Sequence, residues 1–439
     1  MKISKVIIPV FLVFLIAFSW ISALRGLGEN ISSYSEYMKS AEISIEDGLY
    51  EQAIEFYKKS IEYKGDKDTY YKIKDVYDKY YKEEHTPTVR SSYIADMETA
   101  SAEYPKEADF WATTANLYLD ASNYKAAYKC VKEGINFGAK SEELNSIYNE
   151  LTYKTKVNFK LYDDVYTSLN GYISVNEGNK WSLLDGKGEM IDTDYEYIGL
   201  MNDKGKGFYK NNIDTRILDE KGVTRARFDF DIEEAGILDE STGYTPVKID
   251  GNWKYVNMNG EFLKGEFDKA GSFFNDTAAV CKDDVWYIID SKGDKVSDKT
   301  FKDIKLDLYG CHLQSGIIIA MENDKYHLYK EDLSQISDFE CDDIDICIDG
   351  NLIAFMNNDK WGFVDVNGKI VVDPTYNNAK SFSNKLAAVC NDRNLWGYIN
   401  ESYDLVIDYE FEDAFYFNSD EVSIVTITEN TYQILSFMF

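Results

Sequence analysis

Hydrophobic positions change their period twice along this chain. From Val6 to Leu24 the sequence VIIPVFLVFLIAFSWISAL carries no charge. Over residues 31–155 apolar side chains recur at helical spacing, and glycine and proline are scarce, which predicts amphipathic helices. Over residues 156–439 short apolar runs alternate with turns rich in Asp, Asn and Gly, which predicts strands and hairpins. Three segments follow: 1–30, 31–155 and 156–439.

The first segment has the length of a membrane-spanning helix, which needs about 20 apolar residues. Lys2 and Lys5 precede the run, and Arg25 behind it is offset by Glu29. This bias predicts a single-pass anchor at residues 6–24, with a cytoplasmic N-terminus and the bulk of the chain outside the cytoplasm. The alternative is a cleaved signal peptide, with Ile21-Ser22-Ala23 as a poor cleavage site, and a secreted product.

In the helical segment two stretches share a signature. Ala41, Gly48, Tyr50, Ala53 and Tyr57 stand in AEISIEDGLYEQAIEFYKKSI, and Trp111, Ala115, Tyr118, Tyr124 and Ala127 in WATTANLYLDASNYKAAYKCVKEGI. Ser122 stands in the second where the first has glycine. The pattern resembles the tetratricopeptide repeat, and a degenerate middle copy fits Asp68 to Pro105. The resemblance implies antiparallel helical hairpins whose groove takes an extended peptide or another protein. Tyr70, Tyr71, Tyr77, Tyr80 and Tyr81 are candidates to line that groove; the plainer alternative is a spacer, in which they serve packing only.

The β segment is governed by a repeat. Trp361-Gly362 recurs as Trp396-Gly397, and a glycine follows each unit's aromatic residue at a fixed distance. Trp181 pairs in this way with Gly188, Trp253 with Gly260, Trp286 with Gly293 and Trp361 with Gly368. Thr215 begins a copy without Trp and ends it at Gly222. Tyr326 and Trp396 begin copies in which Leu333 and Tyr403 replace the turn glycine. These residues resemble the WG-repeat family of bacterial proteins. Each unit reads as four short strands over about 36 residues, the dimensions of a propeller blade. The small apolar runs Ala278–Val280, Gly316–Ala320 and Leu386–Val389 are expected to be innermost. The segment starts and ends out of phase with its repeat, so joining the ends predicts a closed eight-bladed β-propeller. An open β-solenoid is the alternative. The fold class is thus α+β and multidomain, with a membrane helix, helical hairpins and an all-β repeat domain.

Charge and chemistry narrow the function. A net charge of −30 repels nucleic acid and anionic lipid, so no nucleic-acid partner is expected. The six cysteines form no CxxC pair, and the three histidines lack metal-ligand spacing. Cys281 and Cys390 each follow Ala-Ala-Val and read as small buried hydrophobes. Asp343, Asp345 and Asp349 alternate with Ile344, Ile346 and Ile348, which reads as a strand with one solvated face rather than a calcium loop. The repeated Trp reads as a wedge between blades rather than a platform for sugars. No catalytic motif appears, so no catalytic residue, cofactor or metal is expected. The expectation is a non-enzymatic scaffold binding protein or peptide partners. A cell-wall polysaccharide-binding protein is the alternative and a glycan hydrolase the third reading.

Overall fold

The computed structural model describes residues 32–439 apart from 168, 170, 212, 220, 350, 351 and 429. The expected span Val6–Leu24 lies outside the described residues. Among the described residues no helix is long and apolar enough to cross a membrane. The chain divides into a helical unit up to Thr152 and a β unit over Tyr153–Met438.

Among the described residues seven helices make the first unit: α1 over 32–46, then α2 (Tyr50–Tyr63), α3 (Lys67–Glu83), α4 (Pro87–Glu103), α5 (Ala108–Asp120), α6 (Tyr124–Asn136) and α7 (Glu142–Thr152). Their starts follow from capping. Asp66 accepts from Thr69 N at 2.9 Å, and Thr86, with Pro87 in the first turn, accepts from Val89 N at 3.3 Å. The ends of α1 and α5 follow a common geometry. The amide of Gly48 reaches Ile45 O and that of Leu49 reaches Ser44 O, with Gly48 at φ 73. Ser122 and Asn123 repeat these bonds to Leu119 and Tyr118, with Ser122 at φ 55. A left-handed residue closes each helix, and glycine does so without a Cβ penalty. Ser122→Gly is therefore expected to raise stability by about 0.5–1 kcal/mol, measured by chemical denaturation.

The signature residues fill the helical cores. Ala41, Ala53 and Tyr57 are buried in one cluster with Tyr70, Tyr77 and Tyr93. Trp111, Ala115 and Ala127 are buried in a second, and Tyr124 packs half-buried against it. Tyr77 and Tyr93 stack at 4.6 Å, and their hydroxyls donate to Asp96 at 2.8 Å and Asp78 at 2.6 Å.

In the β unit eight antiparallel sheets follow one another along the chain. The first blade runs Asp164–Thr167, Tyr172–Glu177, Lys180–Asp185 and Met190–Tyr195. The eighth takes Asp413–Ala414, Val422–Thr426 and Tyr432–Phe437 from the end of the β segment, and its fourth strand, Thr155–Val157, from the beginning. Thr155 pairs Phe437, and Val157 pairs Leu435. Val422, Ile424 and Ile434 of this blade share a core with Ile173, Val175 and Leu184 of the first. Asn418 Nδ2 donates to Gly186 O at 3.0 Å across the same junction. The ring is therefore a closed eight-bladed β-propeller, and the open solenoid is excluded. Closure covers the facing sides of the first and eighth blades and leaves as outer edge of the eighth only the short strand Thr155–Val157.

Two expectations about the blades are corrected. The innermost strand of most blades is a two-residue piece such as Lys269–Ala270, Asn378–Ala379 or Asp413–Ala414. The small apolar runs at Thr277–Lys282, Ile317–Glu322 and Leu386–Cys390 are second strands, paired to that piece. Each blade thus begins one strand earlier than the Trp-based phase suggests. Around Asp345 the isoleucines are buried and the aspartates are not, as the alternation predicts, but the strand reading fails. Only Asp343–Ile344 is a strand, and Ile346, Cys347 and Ile348 are all buried. Ile346, Ile348 and Tyr416 meet Leu169 and Leu308, so four blades converge there on an apolar plug. Asp345 is half-buried and hydrogen-bonded. It accepts from Tyr416 Oη at 2.7 Å and from Ser381 N at 2.7 Å.

The turn glycines Gly188, Gly260, Gly293 and Gly368 hold φ between 78 and 84. Leu333 and Tyr403 adopt φ 64 and 65 in their place, a conformation that costs an L-residue about 1–2 kcal/mol. Each offsets that cost with a contact. Leu333 joins the core of the fifth blade, and Tyr403 meets Phe382 edge-on at 6.4 Å.

Candidate interaction sites

The repeat tryptophans stand on third strands and wedge against the next blade. Trp181 packs with Ile198, Met201 and Tyr209, Trp286 with Ile304 and Ile318, and Trp396 with Ala414 and Phe417. Trp253 and Trp361 lie half-buried against the following blades' cores. Cys281 and Cys390 pair across their strands with Trp286 and Trp396. All six cysteines are buried, and no disulfide joins them. Burial pushes the Cys130 and Cys341 thiols up to about 12, and both stay protonated. These positions build the ring and present no open face of Trp.

Concave space occurs elsewhere. Alternate helices α3, α5 and α7 line a groove of about 440 Å³ that includes Asp78, Tyr81, Asp109, Asp120 and Glu143. Arg90 Nη1 holds Asp120 at 3.0 Å, and Asn116 Nδ2 donates to Glu143 at 2.9 Å. Side-chain hydrogen bonds from Tyr81 and Arg90 hold the Asp120 carboxyl below its usual range. Lys74 lies between Asp78 at 3.2 Å and Asp109 at 3.7 Å. Acidic side chains outnumber basic ones along this groove, so it favours cationic chains. The helical signature residues form its scaffold; Tyr81, singled out from the sequence, faces it, and the charged residues that face it were not singled out. Their charges stand on separate helices, and only the pairing of α3, α5 and α7 brings them together.

One face of the ring carries a second cavity, also of about 440 Å³, lined from four successive blades by residues that include Asn202, Asp239, Phe274, Asp307 and Tyr309. The turns behind it share a plan. Asn202 Oδ1 accepts from the amides of Lys204 and Lys206, Asp307 Oδ1 from Tyr309 and Cys311, and Asn418 Oδ1 from Asp420 and Val422. The asparagines then use Nδ2 to donate to a neighbouring blade, at Leu238 O (3.2 Å) and Gly186 O (3.0 Å). An ionised aspartate has no such donor.

Burial pushes the Asp307 carboxyl up to about 6, against the two amides that favour its charged form. The folded state therefore binds a proton that the unfolded chain releases near pH 4. The stability this group contributes is present below about pH 4 and is lost as pH rises through about 6. Asp307→Asn is expected to abolish that slope and to gain about 1–2 kcal/mol at pH 7, read by denaturation at pH 4.5 and 7. Burial also raises Asp413, with Lys380 opposing. No other carboxylate raises either group, so the two do not form an acid–base pair. Among the described residues no cluster of three or more His, Cys, Asp or Glu could hold a metal.

Three stretches of the ring, 255–286, 361–394 and 396–430, share a further property. They match the family model of the WG containing repeat. The WG repeat match thus begins in the third strand of its blade and runs into the following blade. No curated protein matches the chain. Among solved structures, the C-terminal WD40 domain of Sif2 is similar at 9% identity, over 64% of this chain and 98% of that one, with a TM-score of 0.41. A eukaryotic initiation factor is similar at 11% identity, over 61% and 82%, with a TM-score of 0.41. Hsv2p of Kluyveromyces lactis is similar at 11% identity, over 57% and 95%, with a TM-score of 0.36.

Proposed function

We propose that this chain is a non-enzymatic interaction scaffold whose helical unit holds an extended, basic segment of a protein partner. The observation that carries this reading is the acidic groove along α3, α5 and α7. The spacing of Ala41, Gly48, Tyr50, Ala53 and Tyr57, repeated at Trp111, Ala115, Tyr124 and Ala127, resembles tetratricopeptide repeats, in which such grooves take peptides. The propeller supplies a rigid second surface. The uncharged run Val6–Leu24 supports placing the scaffold at a cell membrane, with the described residues outside the cytoplasm.

The test is affinity capture from envelope extracts with the full chain and with a variant carrying Asp109→Lys and Glu143→Lys. A protein retained by the wild type and lost with the variant supports the reading. Retention of wall glycan, with no protein sensitive to the variant, overturns it. Protease added to intact cells tests the orientation, because an outward-facing β unit is cleaved and an inward-facing one is protected.

A further inference from the structure

The Asp307 turn departs from its two counterparts in a way that leaves a chemical group unused. Asn202 and Asn418 employ both side-chain atoms, one to hold the turn and one to tie the neighbouring blade. Asp307 holds its turn with Oδ1 alone, at 2.8 Å from Tyr309 N and 2.8 Å from Cys311 N. No hydrogen bond reaches its Oδ2 from the described residues, and the side chain lines the cavity. Of the other acids there, Glu240 and Asp239 are committed, and Asp203 stands on the same lining. Glu240 is paired with Lys204 and Lys206, and Asp239 accepts from Ser241 and Thr242 at 2.8 and 2.6 Å. Beside them Phe274 lines the same cavity with 45% of its surface exposed, and Tyr309 lies half-buried in it.

A carboxylate oxygen without a partner beside open aromatic rings, in a half-enclosed space, attracts an organic cation. Cation–π attraction acts on the rings, and a charge-assisted hydrogen bond forms at the carboxylate. We propose that this face of the ring binds a ligand bearing an ammonium group on an apolar stem, with the cation on Asp307 and the stem against Phe274. A volume of about 440 Å³ admits a lysyl side chain with its flanking backbone. The inference is independent of the helical groove and stands or falls without it.

Proton linkage follows from the same geometry. Empty, the carboxyl sits at about 6 because it is buried, and a bound cation pairs only with its ionised form. Tyr309 and Cys311 are pushed up by burial and stay neutral. Lys204 and Lys206 share the single carboxylate of Glu240, which leaves one positive charge beside the negative Asp203, and Asp239 is held by its hydrogen bonds below the usual carboxylate range. Asp307 is the group of this lining that burial lifts to about 6, so its proton is the one released on binding near that pH. Affinity falls about tenfold per pH unit below that value.

The experiment is calorimetric titration of the full chain with Nα-acetyl-lysine methylamide, choline and an N-acetylglucosamine oligomer. The expected result is binding of the lysine derivative at pH 7.5, about tenfold weaker binding at pH 5, and a loss of about tenfold or more in Asp307→Asn. That variant installs the residue the ring already uses at 202 and 418, so its fold is expected to survive, which its melting curve verifies. Phe274→Ala is expected to weaken binding about fivefold. Choline binding more tightly, with the same loss in Asp307→Asn, keeps the site and assigns it to quaternary ammonium. No heat with either cation at pH 7.5, equal affinity in wild type and Asp307→Asn, or preference for the saccharide overturns the proposal.

Discussion

Replacing Gly362 with alanine is expected to lower stability by about 2–3 kcal/mol, because the fourth strand of its blade lies where the new methyl group must go. A Cβ on Gly362 would stand 2.3 Å from Val372 O and 2.8 Å from the Asp373 carbonyl carbon. Both are backbone atoms, so no side-chain rotation relieves the clash. The cause is a bulge. Between the pairs Phe363–Val372 and Trp361–Tyr376, two steps along the third strand face four along the fourth. Gly397 sits in the same arrangement between Tyr398–Ile407 and Trp396–Phe411, with Ile407 O at 2.6 Å from the position of a Cβ. The first blade is the natural control. Its Trp is followed by Ser182, and there two steps face only three, from Asp192 to Tyr195. The shorter bulge leaves room for a side chain, and Ser182→Ala is expected to cost under about 0.5 kcal/mol. Urea denaturation of the two variants decides the matter. A Gly362→Ala protein as stable as the wild type would mean that the bulge relaxes freely and that the glycine has another cause.

The second large effect is expected at the closure of the ring. Leu435 is fully buried among Trp396, Phe417 and Val425, with half-buried Val157 against the same cluster. It also pairs with Val157 in the ladder. Leu435→Ala should cost about 3–4 kcal/mol, the usual range for a core leucine whose surroundings cannot collapse. The distinctive sign is local. Hydrogen exchange should rise most over Thr155–Val157, which is held to its sheet through a single neighbouring strand. Ser436→Ala, whose backbone pairs with Lys156, should leave that exchange nearly unchanged. Uniform acceleration through the ring would show instead that the blades open together and that the closing strand is no weaker than the rest.

The sequence made some of this legible and concealed the rest for identifiable reasons. Trp361, Trp396 and their turn residues mark third strands and the hairpins after them, and these are long enough to show a pattern. The ring's size and closure could be read from their spacing. The phase could not, because an inner strand of two residues such as Lys269–Ala270 carries no periodicity at all. The axial segment after Asp343 reads as alternating Ile and Asp, yet Ile346 and Ile348 serve a plug between blades. Packing there follows the ring and not the pleat of one strand. Neither cavity was visible, because Asp109 and Glu143, or Phe274 and Asp307, stand more than 30 residues apart and on different elements. One signal could have revealed the second cavity. The turns at Asn202, Asp307 and Asn418 align on the page, and only the middle one lacks an amide.

The strand that completes the eighth blade carries a cost in time. Thr155 and Phe437 are partners about 280 residues apart, so the first strand of the β segment has no mate until the last has been made. At about 5–20 residues per second of synthesis, that wait lasts tens of seconds. Seven sheets can form in sequence from neighbouring hairpins during this interval, each from local pairings that assemble quickly. The eighth must await both ends of the segment. Throughout that time the faces of the first and last blades stay uncovered, and the nascent ring is an open arc with two adhesive ends.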